Sequence, residues 1–306
     1  MTVETDLEPK LFTRSAHFYP NYRMPLILDR RADFGDEFYA SRRYRLYCVF
    51  EGNGFLTCEG KSVPFTSPSI LCLRAGERVS EIRSPGYRAE ALYFHPEIIN
   101  VGFSFERLSS PEPGFSRTES QDLYCLKPFY ERAVGDVHPV LLGPQNAIRF
   151  RDLFSKIGDQ ISSTNHDSWP CMSRSYFIEL LFYAEHVRAM NPALAQVEGD
   201  ALVNEVLVYL TANYPERITI HSLTDRFNTN RTTLAERFSK ATGTSVIDYL
   251  NRLRTHIASL LLRDTNLHVA IVMDRVGFHD PTHFGRVFRA HYGFSPTEYR
   301  KAFSGR

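Results

Sequence analysis

The sequence predicts an α+β protein in three parts: an antiparallel β-barrel in the N-terminal half, a helical hairpin, and an all-α C-terminal third. Three observations carry this. Short apolar runs broken by Gly, Pro and Ser fill the stretch from Phe18 to Pro96. Two long segments of helical period follow, between residues 144 and 190. One helical pattern then occurs twice at a fixed offset near the C-terminus.

At 306 residues the chain is long enough for two domains with separate cores, and its 43% hydrophobic and 23% charged residues are those of a globular protein. The net charge of +1 hides an asymmetry. From residue 200 onward 14 Lys and Arg stand against 10 Asp and Glu, a net +4; the remainder, 22 against 25, is −3. A basic third on a slightly acidic remainder suits a nucleic-acid reader joined to a second domain. The five cysteines have no metal-like spacing, which favours reduced thiols. The opening MTVETDLEPK lacks the apolar core of a signal peptide, and no apolar run approaches membrane-spanning length. The expectation is a cytoplasmic protein with no membrane partner.

Residues 1–16 read as a polar arm. Leu46–Phe50, Gly54–Cys58, Ile70–Leu73 and Ala89–Phe94 read as strands, with turn signals at Glu51-Gly52-Asn53-Gly54 and Glu59-Gly60-Lys61. Many short strands at close spacing predict a small barrel. Such a barrel holds one small ligand between aromatic walls and a few polar groups. Tyr19, Tyr22, Arg23, Arg42, Tyr44, Tyr47, Tyr93 and His95 are the candidates by residue type. For any single tyrosine among them, ordinary core packing competes with ligand contact.

Residues 98–143 are broken by prolines and glycines and give no clear period. Pro144–Ser162 is helical by the spacing of Ile148, Leu153, Phe154, Ile157 and Ile161, and Ser173–Met190 by that of Phe177, Leu180, Leu181, Ala184 and Val187. The stretch NPALAQVEGD reads as a linker.

In the C-terminal third, Leu234-x-x-x-Phe238-x-x-x-x-Gly243-x-Ser245 recurs as Phe284-x-x-x-Phe288-x-x-x-x-Gly293-x-Ser295, fifty positions later at every matched residue. Asp280 is a candidate N-cap, and Pro281 sits where its missing N–H costs nothing. Gly293 closes the second copy, and Ser295 with Glu298 forms a capping box for the next helix. A helix with one apolar face and one face of Thr, His and Arg suits a groove reader of DNA. Two such units can enter successive major-groove segments about 34 Å apart.

The stretch GFHDPTHFGRVFRAHYGFSPTEYR resembles the C-terminal signature of the AraC/XylS transcription regulators, and the resemblance covers roughly residues 200–306. It implies two helix-turn-helix units flanking a long connector. The first unit uses Ile220–Asn228 and Asn230–Thr242. The connector is Val246–Arg263, with Val246, Leu250, Leu253, Ile257, Leu260 and Leu261 on one stripe. The second unit uses Val269–Val276 and Pro281–Tyr292. The order EGNGFL, EGK, a Pro-Ser step, AGE and LYFHP is similar to the cupin-like sensor barrel of that family. The implied division is an arm and cupin-like barrel at 1–143, a dimerisation hairpin at 144–192, a linker at 193–200, and a DNA-binding domain at 201–306.

Carried over from the family pattern, the DNA-facing residues are Asn230, Arg231, Thr232, Thr233 and Glu236 in the first unit, and Thr282, His283, Arg286 and Arg289 in the second. Arg286 stands where the family commonly reads a base. The first unit departs from the pattern: Glu236 replaces a basic or amide residue, and Arg237 takes a place that is usually apolar. The implied partners are double-stranded DNA, a small-molecule effector in the barrel, a second copy of the chain and, for an activator, RNA polymerase. Control by a protein partner, with no small ligand, is the alternative. A cupin enzyme fused to a DNA-binding tail is more remote. Metal-dependent cupins bring three imidazoles to one cation, whereas His95 is the only histidine between Phe18 and Pro96, so neither metal nor cofactor is expected.

Overall fold

The computed structural model describes residues 12–15, 17–32, 43–83, 86–110, 114–190, 197–198 and 200–303. Two antiparallel sheets form the N-terminal part. The first sets β1 (Leu26–Asp29), β7 (Arg88–Phe94), β2 (Tyr44–Glu51), β5 (Ser69–Leu73) and β8 (Val140–Leu141) side by side in that order. The second sets β6 (Val79–Arg83), β3 (Asn53–Cys58), β4 (Lys61–Thr66) and β9 (Val197–Glu198) side by side. Successive side chains on a strand point to opposite faces. On β2, Tyr44, Leu46, Cys48 and Phe50 therefore join a core shared with helices, while Tyr47 and Val49 join a core shared with the second sheet. On β7, Leu92 and Phe94 take the first side and Ala89, Ala91 and Tyr93 the second. With both faces covered, Leu46–Phe50 of β2 is a continuous apolar run rather than an alternating one. The architecture corrects the expected closed barrel: among the described residues the strands divide between two sheets, with no pairing that joins them into a ring.

Helix α1 (Pro144–Ser162) starts with Pro144 in its first turn. It buries Phe150, Leu153, Phe154 and Ile157 against Phe177, Leu180, Leu181 and Ala184 of α2 (Trp169–Met190), and the pair covers the outer face of the first sheet. Between β7 and β8 the chain makes single-turn and two-turn helices at Phe105–Leu108, Arg117–Asp122 and Lys127–Tyr130. They are too short for a periodic signal. No helix among the described residues is long and apolar enough to cross a membrane.

The C-terminal part is all helix: α3 (Ala201–Asn213), α4 (Ile220–Arg226), α5 (Arg231–Thr242), α6 (Val246–Asp264), α7 (Val269–Arg275), α8 (Pro281–Tyr292) and α9 (Pro296–Phe303). The sequence repeat is a structural repeat. Helices α4 and α7 have 7 residues each, α5 and α8 have 12 each, and both longer helices end on a left-handed glycine, Gly243 at φ 71° and Gly293 at φ 75°. A side chain is strained in that region, which is why glycine closes both copies.

The long helix α6 is buried on more than one face, so its apolar residues do not form the single stripe expected. Val246, Tyr249 and Leu250 pack with the first helix pair, and Ala258 and Leu262 with the second. Leu253 and Leu260 instead meet Leu141 of β8. Beside them Gln145 Nε2 donates to the Asp264 carbonyl at 3.0 Å. A Cβ on Gly143 would lie 1.9 Å from Asp264 Oδ2, so any larger residue there would have to displace the Asp264 carboxylate. A cleft of about 350 Å³ lies along this junction, between Thr66–Pro68, Leu141–Pro144 and Ile257–Leu261.

His256 is 3% exposed on α6, with Nδ1 3.2 Å from the Tyr292 hydroxyl. Burial, aided by the nearby Arg263 charge, depresses its pKa from 6.5 to about 4. A depressed folded-state pKa means the stabilisation is complete above 6.5 and is lost as pH falls toward 4. Acidification to pH 4 should cost the wild type on the order of 3 kcal/mol more than His256→Gln. Denaturant melts of both proteins at pH 7 and pH 4 measure the difference.

Candidate nucleic-acid interface

Helix α5 begins on Asn230, whose side chain accepts from the Thr233 N–H at 2.8 Å. Its buried stripe is Leu234 and Phe238. Arg231, Thr232, Ala235 and Glu236 remain exposed, while Thr233 is half-buried. Helix α8 repeats the arrangement. Asp280 caps it by accepting from the His283 N–H, Phe284 and Phe288 form the buried stripe, and Thr282, Arg286 and Arg289 are exposed. Two polar faces of similar shape thus lie on two helices carried by one connector.

The residues singled out on those faces are not equally free. His283 is half-buried, its ring edge-on to Phe278 with centroids 5.5 Å apart. Arg289 is paired with Glu298 at 2.8 Å, both groups more than half exposed. Glu298 also accepts from the Ser295 N–H at 2.7 Å, and these hydrogen bonds hold its carboxyl below the usual range. Arg286 carries no such partner among the described residues and extends from the middle of α8. Arg237 is held by Asp200: Nε donates to Oδ2 at 2.7 Å and Nη2 to Oδ1 at 2.6 Å.

What fixes the two units relative to each other is a residue the apolar pattern passes over. Arg254 lies on α6, 8% exposed, and its Nε donates to the Tyr214 carbonyl at 2.8 Å. Its Nη2 donates to the Glu216 carbonyl at 2.6 Å. Both carbonyls belong to the loop between α3 and α4 of the first unit. The same guanidinium lies 5.7 Å from the ring centroid of Phe278 in the second unit. Gly277, at φ 82°, leaves no room for a Cβ between Pro215 and Tyr214 carbonyls and that guanidinium. One buried cation therefore joins connector, first unit and second unit. The available sequence signal was a charge beside Leu253, inside the run Leu253–His256 that the structure buries.

The candidate ligand residues of the N-terminal part do not gather at one place. Arg42 lies outside the described residues. Tyr19, Tyr22 and Arg23 are exposed, Tyr22 standing edge-on to Trp169 with centroids 6.0 Å apart. Tyr44 faces the helical side, packed among Phe94, Phe105 and Phe129. His95 follows the end of β7 and accepts from the Glu97 N–H at 3.3 Å as a helix cap. Burial lowers its pKa. Tyr47 and Tyr93 do meet, their hydroxyls 3.3 Å apart between the two sheets. Burial pushes both the Tyr93 hydroxyl and the Tyr44 hydroxyl upward.

A buried polar group beside that pair had not been singled out. Arg45, 1% exposed, sits across from Tyr93 in the β2–β7 register and donates to the Glu77 carbonyl. Its Nε has no hydrogen-bond partner among the described residues. Glu77, also 1% exposed, takes both oxygens to Arg132 at 2.6 Å and accepts from the Arg74 and Gly135 N–H groups. Burial opposes ionisation of Glu77, but the Arg132 hydrogen bonds and charge, together with the Arg74 and Gly135 N–H donors, outweigh it and the pKa falls.

Two polar-faced helices at the second position of a repeated helix pair define a double helix-turn-helix protein. A helix-turn-helix domain model matches residues 223–302. The lactose operon transcription activator of Staphylococcus xylosus is 30% identical over 264 residues, covering 85% of this chain and 84% of that one. The chain belongs to the AraC/XylS family of transcription regulators. The transcriptional activator RhaS of Citrobacter koseri is 32% identical over 125 residues, 41% of this chain and 44% of RhaS. The chain spans about half the length of several curated relatives it matches, from 44% to 55%. Among solved structures, a probable AraC family regulator from Rhodopseudomonas palustris is 28% identical over 34% of this chain and 99% of its own, with a TM-score of 0.32.

Arg254→Ala should destabilise the C-terminal part by about 2–4 kcal/mol, because two backbone carbonyls lose a charged donor and a packed stem disappears. Urea denaturation followed by helical circular dichroism checks it.

Proposed function

We propose that this protein is a sequence-specific DNA-binding transcription regulator whose reading helices are α5 and α8. The observation that carries the reading is the duplicated unit: two twelve-residue helices with matched caps, matched buried stripes and exposed polar faces, on one connector. Arg231, Thr232, Thr233 and Glu236 form the first DNA face, with Asn230 serving also as its cap. Thr282, Arg286 and Arg289 form the second, with His283 at its edge. Arg286 is the base reader, since Arg to guanine O6/N7 is the commonest specific contact. The net +4 of the C-terminal third favours approach to phosphate.

The N-terminal sandwich, cupin-like in strand rhythm, is the sensor in this reading, with the division near 143, 192 and 200 given above. Its effector pocket centres on Tyr47 and Tyr93 with Arg45, the polar groups that converge between the sheets. The α1–α2 hairpin is the surface for a second copy. Ile148 is 71% exposed, and Phe182 is 39% exposed and stacked on Tyr124. Reading DNA places the protein in the cytoplasm, where an activator also meets RNA polymerase.

The test is selection of DNA from a random pool by the full chain, then titration against the selected site and its single-base variants. Log K should fall linearly with log salt as phosphates are neutralised. Arg286→Ala should lose about 1–3 kcal/mol of discrimination at one base pair. Glu236→Ala should leave base preference intact and tighten binding, as an acidic group near phosphate is removed. Equal weakening of every variant by Arg286→Ala makes that residue a phosphate contact and contradicts its assignment.

A further inference from the structure

The exchange of an apolar residue for Arg237 has a structural counterpart. At about 100° per residue, Arg237 falls on the flank of α5, between the buried Leu234–Phe238 stripe and the exposed side that carries Glu236. From there its guanidinium reaches the carboxylate of Asp200 in a two-pronged pair, the strongest geometry such groups adopt. Asp200 is already committed elsewhere. Its Oδ1 caps α3 by accepting from the Val203 N–H at 3.1 Å. Two residues earlier the chain is β9, hydrogen-bonded onto β4 in the register Lys61 to Glu198 and Ser62 to Val197. Helix α3 lies on β3 and β4 as well as on α5, and β9 itself lies against α5. The first reading helix thus touches the second sheet through one strand and one ion pair. Among the described residues helix α8 shows no equivalent pair: its Arg289 is bonded to Glu298, inside its own unit.

We propose that Arg237 is a positioning residue: paired with Asp200, it fixes the roll of α5 against the sheet-bound segment joining the two halves of the chain. Base reading by the first unit then depends on that segment, and reading by the second does not. The inference rests on α5 being a DNA-reading helix. It separates Arg237 from the DNA-facing set, although the residue is a half-exposed arginine on that helix.

The experiment uses the full chain, DNA selected by the wild type from a random pool, and the variants Asp200→Asn, Arg237→Gln and the double. Asparagine caps a helix as well as aspartate does, so Asp200→Asn removes the ion pair and spares α3. Both single variants should weaken binding by about fivefold, and the double should be no weaker than either, because all three remove one interaction. The lost base preference should fall only in the segment read by α5, with the salt slope unchanged. Amide exchange in residues 231–242 should rise in both single variants without DNA, while residues 281–292 stay at wild-type rates.

The opposite pattern overturns the proposal. If Arg237 contacts phosphate, Asp200→Asn tightens binding by freeing it, and Arg237→Gln lowers the salt slope by about one. Unchanged binding in both variants, or loss of preference spread over both segments, overturns it too. A wild-type chain that enriches no DNA contradicts the DNA-reading function instead. The exchange measurement then judges the clamp alone, and unchanged exchange in 231–242 removes it.

Discussion

The arrangement of the C-terminal part depends on a buried cation, Arg254. A guanidinium taken out of water needs its hydrogen bonds met inside the protein. Here the Tyr214 and Glu216 carbonyls meet them, and burial still lowers the pKa of Arg254. The constraint works in both directions. The loop between α3 and α4 turns its Tyr214 and Glu216 carbonyls toward Arg254, and Gly277 is a glycine because the same guanidinium and the Tyr214 and Pro215 carbonyls leave no space for a side chain. Each helix pair has its own apolar core on α6, but apolar contact is tolerant of sliding. The directional bonds of Arg254 tie the first unit's loop to α6, and the same guanidinium faces the Phe278 ring of the second unit.

The connector also carries the junction between the two parts of the chain. Leu253 and Leu260 meet Leu141, and the Asp264 carbonyl accepts from Gln145. A second junction runs through β9 and α3 on the second sheet. Helices that carry polar faces are thereby attached to the sandwich at two separated places. A change within the sandwich has physical routes to the helices, which is what linkage between an effector and DNA would require.

Much of the helical part was legible in the sequence, because its signals are local. Pro144, Asp280 and Ser295 mark starts, Gly243 and Gly293 mark ends, and the fifty-residue repeat ties two short helices together that neither would reveal alone. The strands β2, β3, β5 and β7 showed as apolar runs, whereas β4 hides behind Pro64, β6 is polar, and β8 and β9 have two residues each. Closure of the strands is a long-range property, and rhythm alone did not decide between a barrel and two sheets. Among the candidate ligand residues, Tyr47 and Tyr93 meet because β2 and β7 are neighbours, a pairing that no residue type announces. Arg45, Glu77 and Arg254 were missed for a shared reason: a buried charge looks like a surface charge until its partners are known.

The central claim is that two equivalent helices, set by α6 and Arg254 into one body, read one face of a duplex. Hydroxyl-radical footprinting of the full chain on its selected DNA tests it most directly. The account predicts, for each bound chain, two protected windows on the same face, centred about 10 base pairs apart, one helical turn. A single protected window per chain, or two windows on opposite faces of the duplex, would contradict it.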